Sequence, residues 1–248
     1  MGVLAIIPAK SRSTGIPGKN LTPLAGRSPM NRAIDLCNVL TKAGVLAQYY
    51  VSSDIDWAAN ERFTGDSGGW RIGEWIHRPA ELATDTTAMI DVVRHVLEQI
   101  PGPPDQQIVL LQPTQPLREP KHITQALALL NGHSAVVSVA RIPQAMSPPM
   151  ACWIGDLSHY LCPFDAKRGL YGGEPRNWSQ VATRRQETGE WYYRDGTVYA
   201  FRRRTVEETG TIYGHTVAPL IIPPEETCPL DTPADWLEAE RRLRERAT

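Results

Sequence analysis

Lys10, Arg12 and Lys19 fall in one stretch with Ser11, Ser13, Thr14, Gly15 and Gly18, in the segment Ile6–Leu21 that reads IIPAKSRSTGIPGKNL. Three cations among hydroxyls and glycines, directly after a buried strand, form a local anion site, because backbone N–H groups and basic side chains converge at the carboxyl ends of strands in open α/β sheets. A polyphosphate is the guest this chemistry suits. The spacing is neither GxxxxGK[ST] nor GxGxxG, which disfavours a Walker-type ATPase and a Rossmann dehydrogenase. A second basic concentration lies between Asp165 and Arg204, where nine bases, Arg185 among them, stand against five acids. Guanidinium groups pair fork-like with carboxylates and phosphonates, so Arg185 is a candidate clamp on an anionic acceptor and Arg202–Arg204 reads as a solvated strand end.

The elements that must position these residues follow from periodicity. Val3–Ile7 is a short apolar run ended by Pro8, as in a strand buried on both faces of a parallel sheet. Ser28-Pro29 marks a helix start, with Met30, Ala33, Ile34 and Cys37 at helical spacing toward Gly44. Tyr49–Ser52 reads as a strand and Asp54 as the start of a helix. Met89, Val92, Val93, Val96, Leu97 and Ile100 line one face of a helix stopped by Pro101. Ile108–Leu111, Lys121–Leu130, Ala135–Ala140 and Gly196–Phe201 continue as strand, helix, strand and strand, and Pro233 to Arg246 forms a last helix behind Asp231-Thr232. This βαβα rhythm predicts one α/β domain over residues 1–248, with a doubly wound, mostly parallel, Rossmann-like sheet. Residues 141–190 carry no clear period, so they read as an inserted small lobe, a lid or an oligomer contact.

The 248 residues hold 26 Lys and Arg against 27 Asp and Glu, a formal charge of −1 that gives no global basis for binding a nucleic-acid polymer or an anionic membrane. Four cysteines without a CxxC pair, and no apolar run of eighteen, fit reduced thiols and a cytoplasmic protein. The 21 prolines lie well above average usage and predict stiff, shaped loops.

Five segments, in order along the chain, resemble those of the CMP-sugar synthetases, the cytidylyltransferases that activate acidic sugars. Ile6–Leu21 resembles the N-terminal signature A-R-x-G-S-K-G-[IL]-P-x-K-N. Arg78–Thr87, RPAELATDTT, and Leu110–Arg118, LLQPTQPLR, are similar to the family's RPAELASDTA and LLQPTSPLR. Arg185-Gln186 and Asp195-Gly196-Thr197-Val198-Tyr199 resemble its R-Q and N-G-A-I-Y pair, and Leu230–Trp236, LDTPADW, resembles an ending shared with the octulosonate cytidylyltransferases.

The resemblance implies a nucleotidyltransferase fold and attack of an acceptor oxygen on the α-phosphorus of CTP. Lys10 and Lys19 then hold phosphates, with Arg12 beside them; Ser11, Ser13, Thr14 and Asn20 complete the nucleotide set. Arg78 and Thr84 face the cytosine. Gln112 lies beside the reacting centre, and Asp231 is the carboxylate that ligates Mg²⁺, although it also suits the cap of the last helix. Arg185, Asp195 and Tyr199 join Gln112 on the acceptor side, Tyr199 being equally suited to a core. Homodimerisation through the inserted region is a further implication.

Departures from the pattern bear on the acceptor. Thr14 replaces the lysine of sialate-type enzymes, Pro229 replaces the first aspartate of their metal motif, and Asp195 replaces an asparagine. Ser13-Thr14 and Pro17-Gly18-Lys19 match the octulosonate branch. The expected acceptor is a nonulosonic acid; an octulosonate or a small phosphonate such as phosphonoformate, and a nucleotide-binding protein without turnover, are the alternatives.

Overall fold

The computed structural model describes residues 2–55, 73–146, 152–154, 161–163 and 189–247. The chain divides into two compact units, Met1–Val139 with Arg194–Thr248, and Ala140–Tyr193. In the first unit, β1 (Val3–Pro8), α1 (Pro29–Lys42), β2 (Leu46–Ser53), β3 (Gly73–His77), α2 (Met89–Gln99), β4 (Gln107–Leu110), α3 (Pro120–Leu129) and β5 (Ala135–Arg141) alternate along the chain. In the second, β6 (Cys152–Ile154) and β7 (Leu161–Pro163) form an antiparallel pair. There Arg141 pairs with Glu190 at 2.9 Å, and the Ile142 N–H donates to the Trp191 carbonyl at 2.8 Å. The elements β8 (Tyr192–Arg202), α4 (Arg203–Thr209), β9 (Val217–Ile222) and α5 (Pro233–Ala247) complete the chain.

Seven strands form one sheet in the order β3-β2-β1-β4-β8-β5-β9. Strand β1 runs parallel to β2 and β4, and β2 parallel to β3, whereas β8 is antiparallel to β4. Strand order therefore turns outward in both directions from the β1/β4 pair. A crevice forms at the carboxyl ends of two strands whose connections leave in opposite directions, which is where an open α/β sheet holds its ligand. The loops after β1 and after β4 meet that requirement.

The pleat of β1 sorts the core. Ala5 and Ile7 pack with Met30, Ala33, Cys37 and Leu40 of α1 and with Ile123 and Ala126 of α3. Leu4 and Ile6, pointing to the other face, pack with Val93, Val96 and Leu97 of α2 and with Val206 of α4. The continuous apolar run is thus required by burial on both faces. A third cluster of Leu24, Leu117, Cys228, Leu230 and Ala239 seats α5.

Helix α1 begins where Ser28-Pro29 predicts: Ser28 Oγ accepts from the Asn31 N–H at 3.3 Å, and Pro29 fills the first helical position. Tyr49–Ser52 lies inside the longer β2, and Asp54 precedes residues outside the described ones. One expectation is corrected. Arg202–Arg204 is not a solvated strand end, because Arg203 is 4% exposed, opens α4, and donates to the carbonyls of Leu97 and Ile100 at the end of α2. Among the described residues no helix is long and apolar enough to cross a membrane.

Candidate active site

The loop following β1 is shaped by its own backbone before any side chain reaches into the crevice. Gly18 adopts φ +62, and its carbonyl accepts from the N–H groups of Leu21 and Thr22. A residue with a Cβ is strained at that φ. Asn20 is 6% exposed and donates Nδ2 to the Lys10 carbonyl at 2.8 Å, tying the two ends of the loop together. Asn20 therefore positions the loop from beneath. The Ser11 N–H and Oγ both bond the Asp54 carboxylate, at 2.7 and 2.5 Å, which anchors the loop to the end of β2.

The three cations have different settings. Arg12 is exposed, and Ser13 and Thr14 lie beside it on the same open stretch. Lys10 forms an ion pair with Asp85 of the Arg78–Thr87 segment. Lys19 is partly buried and donates Nζ to the Leu230 carbonyl at 2.7 Å, with Asp231 Oδ1 at 4.0 Å. Burial lowers the Lys19 pKa, while the Asp231 carboxylate acts the other way. The approach of the two segments is close enough that a Cβ on Gly15 would lie 2.6 Å from the Asp231 carbonyl oxygen. The loop after β1 and the segment before α5 are thus one unit, though 211 residues separate Lys19 from Leu230.

Asp231 is free of the capping task. Thr232 Oγ1 accepts from the Asp235 N–H at 3.3 Å, and the Asp235 carboxylate accepts from the N–H groups of Asp231 and Thr232 and from Thr232 Oγ1. The reciprocal pair across three residues is a capping box built on Thr232. The Asp231 carboxylate consequently stands 77% exposed beside Lys19. Among the described residues no three His, Cys, Asp or Glu side chains cluster closely enough to hold a metal ion. One open carboxylate fits a hard cation whose remaining ligands are phosphate oxygens and water, and does not fit a cage made by protein alone.

Arg78 and Thr84 occupy contrasting places. Arg78 is 4% exposed, and its Nε and Nη2 donate to the side chain and carbonyl of Ser52 at 3.2 and 2.6 Å. Burial lowers its pKa, with the Asp54 charge opposing. Thr84 is exposed, its hydroxyl within 2.7 Å of the Thr87 hydroxyl.

Beyond β4, Gln112 lies where the chain leaves the sheet next to β1, and its side-chain oxygen would be 3.3 Å from a Cβ on Gly196, which adopts φ +79. Only a residue without a Cβ allows that approach without adjustment. Arg118 fixes this turn by donating Nη2 to the Gln112 carbonyl at 2.6 Å and Nε to the Thr197 carbonyl. Burial pushes the Arg118 pKa down to about 10, since its contacts are neutral carbonyls. Gln115 donates to the Asp195 carbonyl, and the Leu230 N–H donates to the Thr114 carbonyl at 2.9 Å, so the Gln112 turn is joined to both β8 and the Asp231 segment.

On β8, Asp195 is 3% exposed, and its carboxylate bonds the N–H and hydroxyl of Thr197. Tyr199 packs against the core with its ring edge-on to Tyr213 at 6.4 Å, and burial raises its pKa. Both side chains serve β8 itself in this arrangement. Arg185 lies outside the described residues. The structure therefore brings Lys10, Ser11, Lys19, Asn20 and Asp231 into one loop system and seats Gln112 at the adjoining strand end. Asp54, Asp85 and Arg118 are the members that sequence reasoning missed. Nothing in their local patterns marks them, although Asp85 and Arg118 lie within the quoted segments RPAELATDTT and LLQPTQPLR.

Known proteins are similar to this chain. A cytidylyltransferase family model matches residues 4–153. The chain is 28% identical over 250 residues to a CMP-N,N'-diacetyllegionaminic acid synthase of Legionella pneumophila, covering 98% of this chain and 97% of the relative. It is 26% identical over 207 residues to an N-acylneuraminate cytidylyltransferase of Streptococcus agalactiae, covering 83% of this chain and 44% of that relative. The chain thus spans less than half the length of the streptococcal protein. Among solved structures, a CMP:2-keto-3-deoxy-manno-octonic acid synthetase in complex with CTP superposes with a TM-score of 0.64 at 17% identity, covering 99% of this chain and 100% of that one. That likeness shows a shared α/β fold. With the family model extending through β1, the loop of Lys10 and Lys19, and the Gln112 turn, this chain belongs to the cytidylyltransferase family.

Proposed function

We propose that this protein transfers CMP from CTP to a small acidic sugar, with a nonulosonic acid as acceptor, and releases pyrophosphate. The observation that carries the reading is the union of Lys10 and Lys19 with the open Asp231 carboxylate at the β1/β4 switch point. The Legionella relative, matched over nearly its whole length, supports the acceptor class.

The acceptor hydroxyl oxygen forms a bond to the α-phosphorus as the bond from that phosphorus to the bridging oxygen of pyrophosphate breaks. The electron pair leaves with pyrophosphate, and the hydroxyl proton passes to solvent. Charge on the triphosphate must be neutralised and the groups held in line, which is most of what a protein contributes to such a transfer. Lys19 is pre-set for this, fixed by the Leu230 carbonyl with its remaining ammonium hydrogens available. Lys10 exchanges Asp85 for a phosphate oxygen. Gln112, held through Arg118, orients the reacting groups at the strand end. A Mg²⁺ ion, held on the protein side by Asp231, would neutralise phosphate charge and polarise the phosphoryl oxygens. Arg185 supplies a guanidinium to the acceptor carboxylate. We infer in addition that two copies associate through residues 141–190, and a dimer mass in sedimentation supports this.

An octulosonate is the second reading. Ser13-Thr14 and Pro17-Gly18-Lys19 favour it, as does a 23% identical 8-amino-3,8-dideoxy-manno-octulosonate cytidylyltransferase of Shewanella baltica, matched over 99% of its length. The test is incubation with CTP, Mg²⁺ and a panel of N-acetylneuraminic, legionaminic, octulosonic and phosphonoformic acids, following pyrophosphate and the mass of the CMP adduct. A nonulosonate adduct supports the first reading, and an octulosonate adduct the second. A phosphonate adduct alone contradicts both, and CTP binding with no adduct from any acid contradicts turnover.

A further inference from the structure

A cavity of about 250 Å³ opens between α1, the turn before α3 and the end of α5. Its walls include Arg32, Arg118 and Arg246, with Asp35, Gln115 and Leu243. No residue of the loop 10–20 lines it, nor does Asp85 or Asp231, so it is distinct from the triphosphate loop, although Gln115 and Arg118 of the Gln112 turn form part of its wall.

The charge on these walls is only partly balanced by the protein's own acids. Asp35, the acid of the cavity, is engaged bidentately by Arg27 at 2.6 and 2.7 Å. Arg32 gives its hydrogen bonds to the carbonyls of Arg27, Leu24 and Ala25, and Arg118 gives its own to those of Gln112, Gly196 and Thr197. Among the described residues neither forms an ion pair. Burial lowers the pKa of both groups. Arg246 pairs with Glu119 at 2.9 Å and donates to the carbonyls of Leu117 and Glu225, so it is the one of the three that already has an anion in contact. Guanidinium groups removed from water without an anion in contact are unfavourable, and an oxyanion accepting from several of them relieves this through short, charge-assisted bonds.

We propose that this cavity is a second ligand site, which binds a small phosphate-class oxyanion between Arg32, Arg118 and Arg246. The volume suits an inorganic anion with a few waters and is small for a nucleotide, since pockets for larger organic ligands begin at roughly 300 Å³. Arg118 belongs to both sites, because its other contacts hold the Gln112 turn. An anion in the cavity adds a ligand to the residue that fixes that turn.

Thermal unfolding in increasing inorganic phosphate and pyrophosphate, against chloride at equal ionic strength, tests the site without any turnover. Lys19→Ala, which removes the contribution of the triphosphate loop, should keep a saturable rise in melting temperature, and the cavity variants are read in that background. Arg246→Gln and Arg32→Gln should each raise the half-saturating concentration about tenfold, the loss of one charge-assisted contact. Should Arg32→Gln not fold, because its carbonyl contacts also hold the 24–27 turn, Arg246→Gln at the end of α5 decides alone. A rise lost in Lys19→Ala and retained in Arg246→Gln would overturn the proposal by placing the anion in the reaction site. No saturable rise beyond chloride would overturn it as well.

Discussion

Lys19 is held by the Leu230 carbonyl at 2.7 Å while the neighbouring Asp231 carboxylate stands 4.0 Å from the same ammonium, close enough to influence it and too far to bond it. The pair is arranged so that each remains available to a third party. Because Thr232 caps α5, Asp231 has no structural task that its removal would expose. Asp231→Asn is therefore expected to leave urea unfolding within about 0.5 kcal/mol of wild type, as at an ordinary surface site, while Mg²⁺-dependent pyrophosphate release falls at least about a hundredfold. Normal turnover would remove Asp231 from the reaction.

Gly15 gives the same junction a steric test. A methyl group there would lie 2.6 Å from the Asp231 carbonyl, a contact that backbone must move to relieve. Gly15→Ala should cost about 1–3 kcal/mol in urea unfolding and weaken CTP binding with it. A fully stable variant with unaltered CTP affinity would mean that the two segments do not need their close seating.

On the proposed function, the Lys10–Asp85 ion pair competes with phosphate for the same ammonium. Removing the acid charge should release Lys10. Asp85→Asn is accordingly expected to tighten CTP binding several-fold in a calorimetric titration, with little effect on stability, since exposed ion pairs contribute about 0–1 kcal/mol. Weaker binding would show that Asp85 supports the nucleotide instead of competing with it.

Legibility in the sequence followed burial. The β1 run and the faces of α1, α2 and α3 could be read because each element is buried on a defined side, and apolar spacing records that. Strand β9 was not read. Its residues alternate between exposed and buried, but Pro219 interrupts the pattern, and a proline is tolerated there because β9 is the last strand of the sheet. Helix α4 is seven residues of mostly polar sequence, too short for a period, with only the αL Gly210 to mark its end. Around the loop after β1, Lys10 and Lys19 stand out in a local pattern and Asp231 through the family resemblance, whereas the partners Asp54 and Asp85 lie 43 and 75 residues from the groups they bond. Arg78 and Asn20 were legible as important, but the pattern could not show that both turn toward backbone.

Cys37 supplies a pH test of the core beneath this loop. Burial raises the thiol from 9.0 to about 12. The folded protein therefore keeps a proton that the unfolded chain releases from about pH 9, so the folded state binds more protons in that window and stability falls as pH rises. Cys37→Ala should lower stability at pH 7 through lost packing yet flatten the decline between pH 9 and 11 by about 1 kcal/mol per pH unit. An unchanged alkaline slope in urea titrations would show that the thiol is not protected.

The central claim is that the loop after β1 holds the triphosphate of CTP. Calorimetric titration of wild type and Lys19→Ala with CTP and Mg²⁺ tests it most directly, with circular dichroism to confirm that the variant folds. One CTP per chain in wild type and an affinity at least about tenfold weaker in the variant are expected, as for loss of one charge-assisted phosphate contact. Equal CTP affinity in two folded proteins would contradict it.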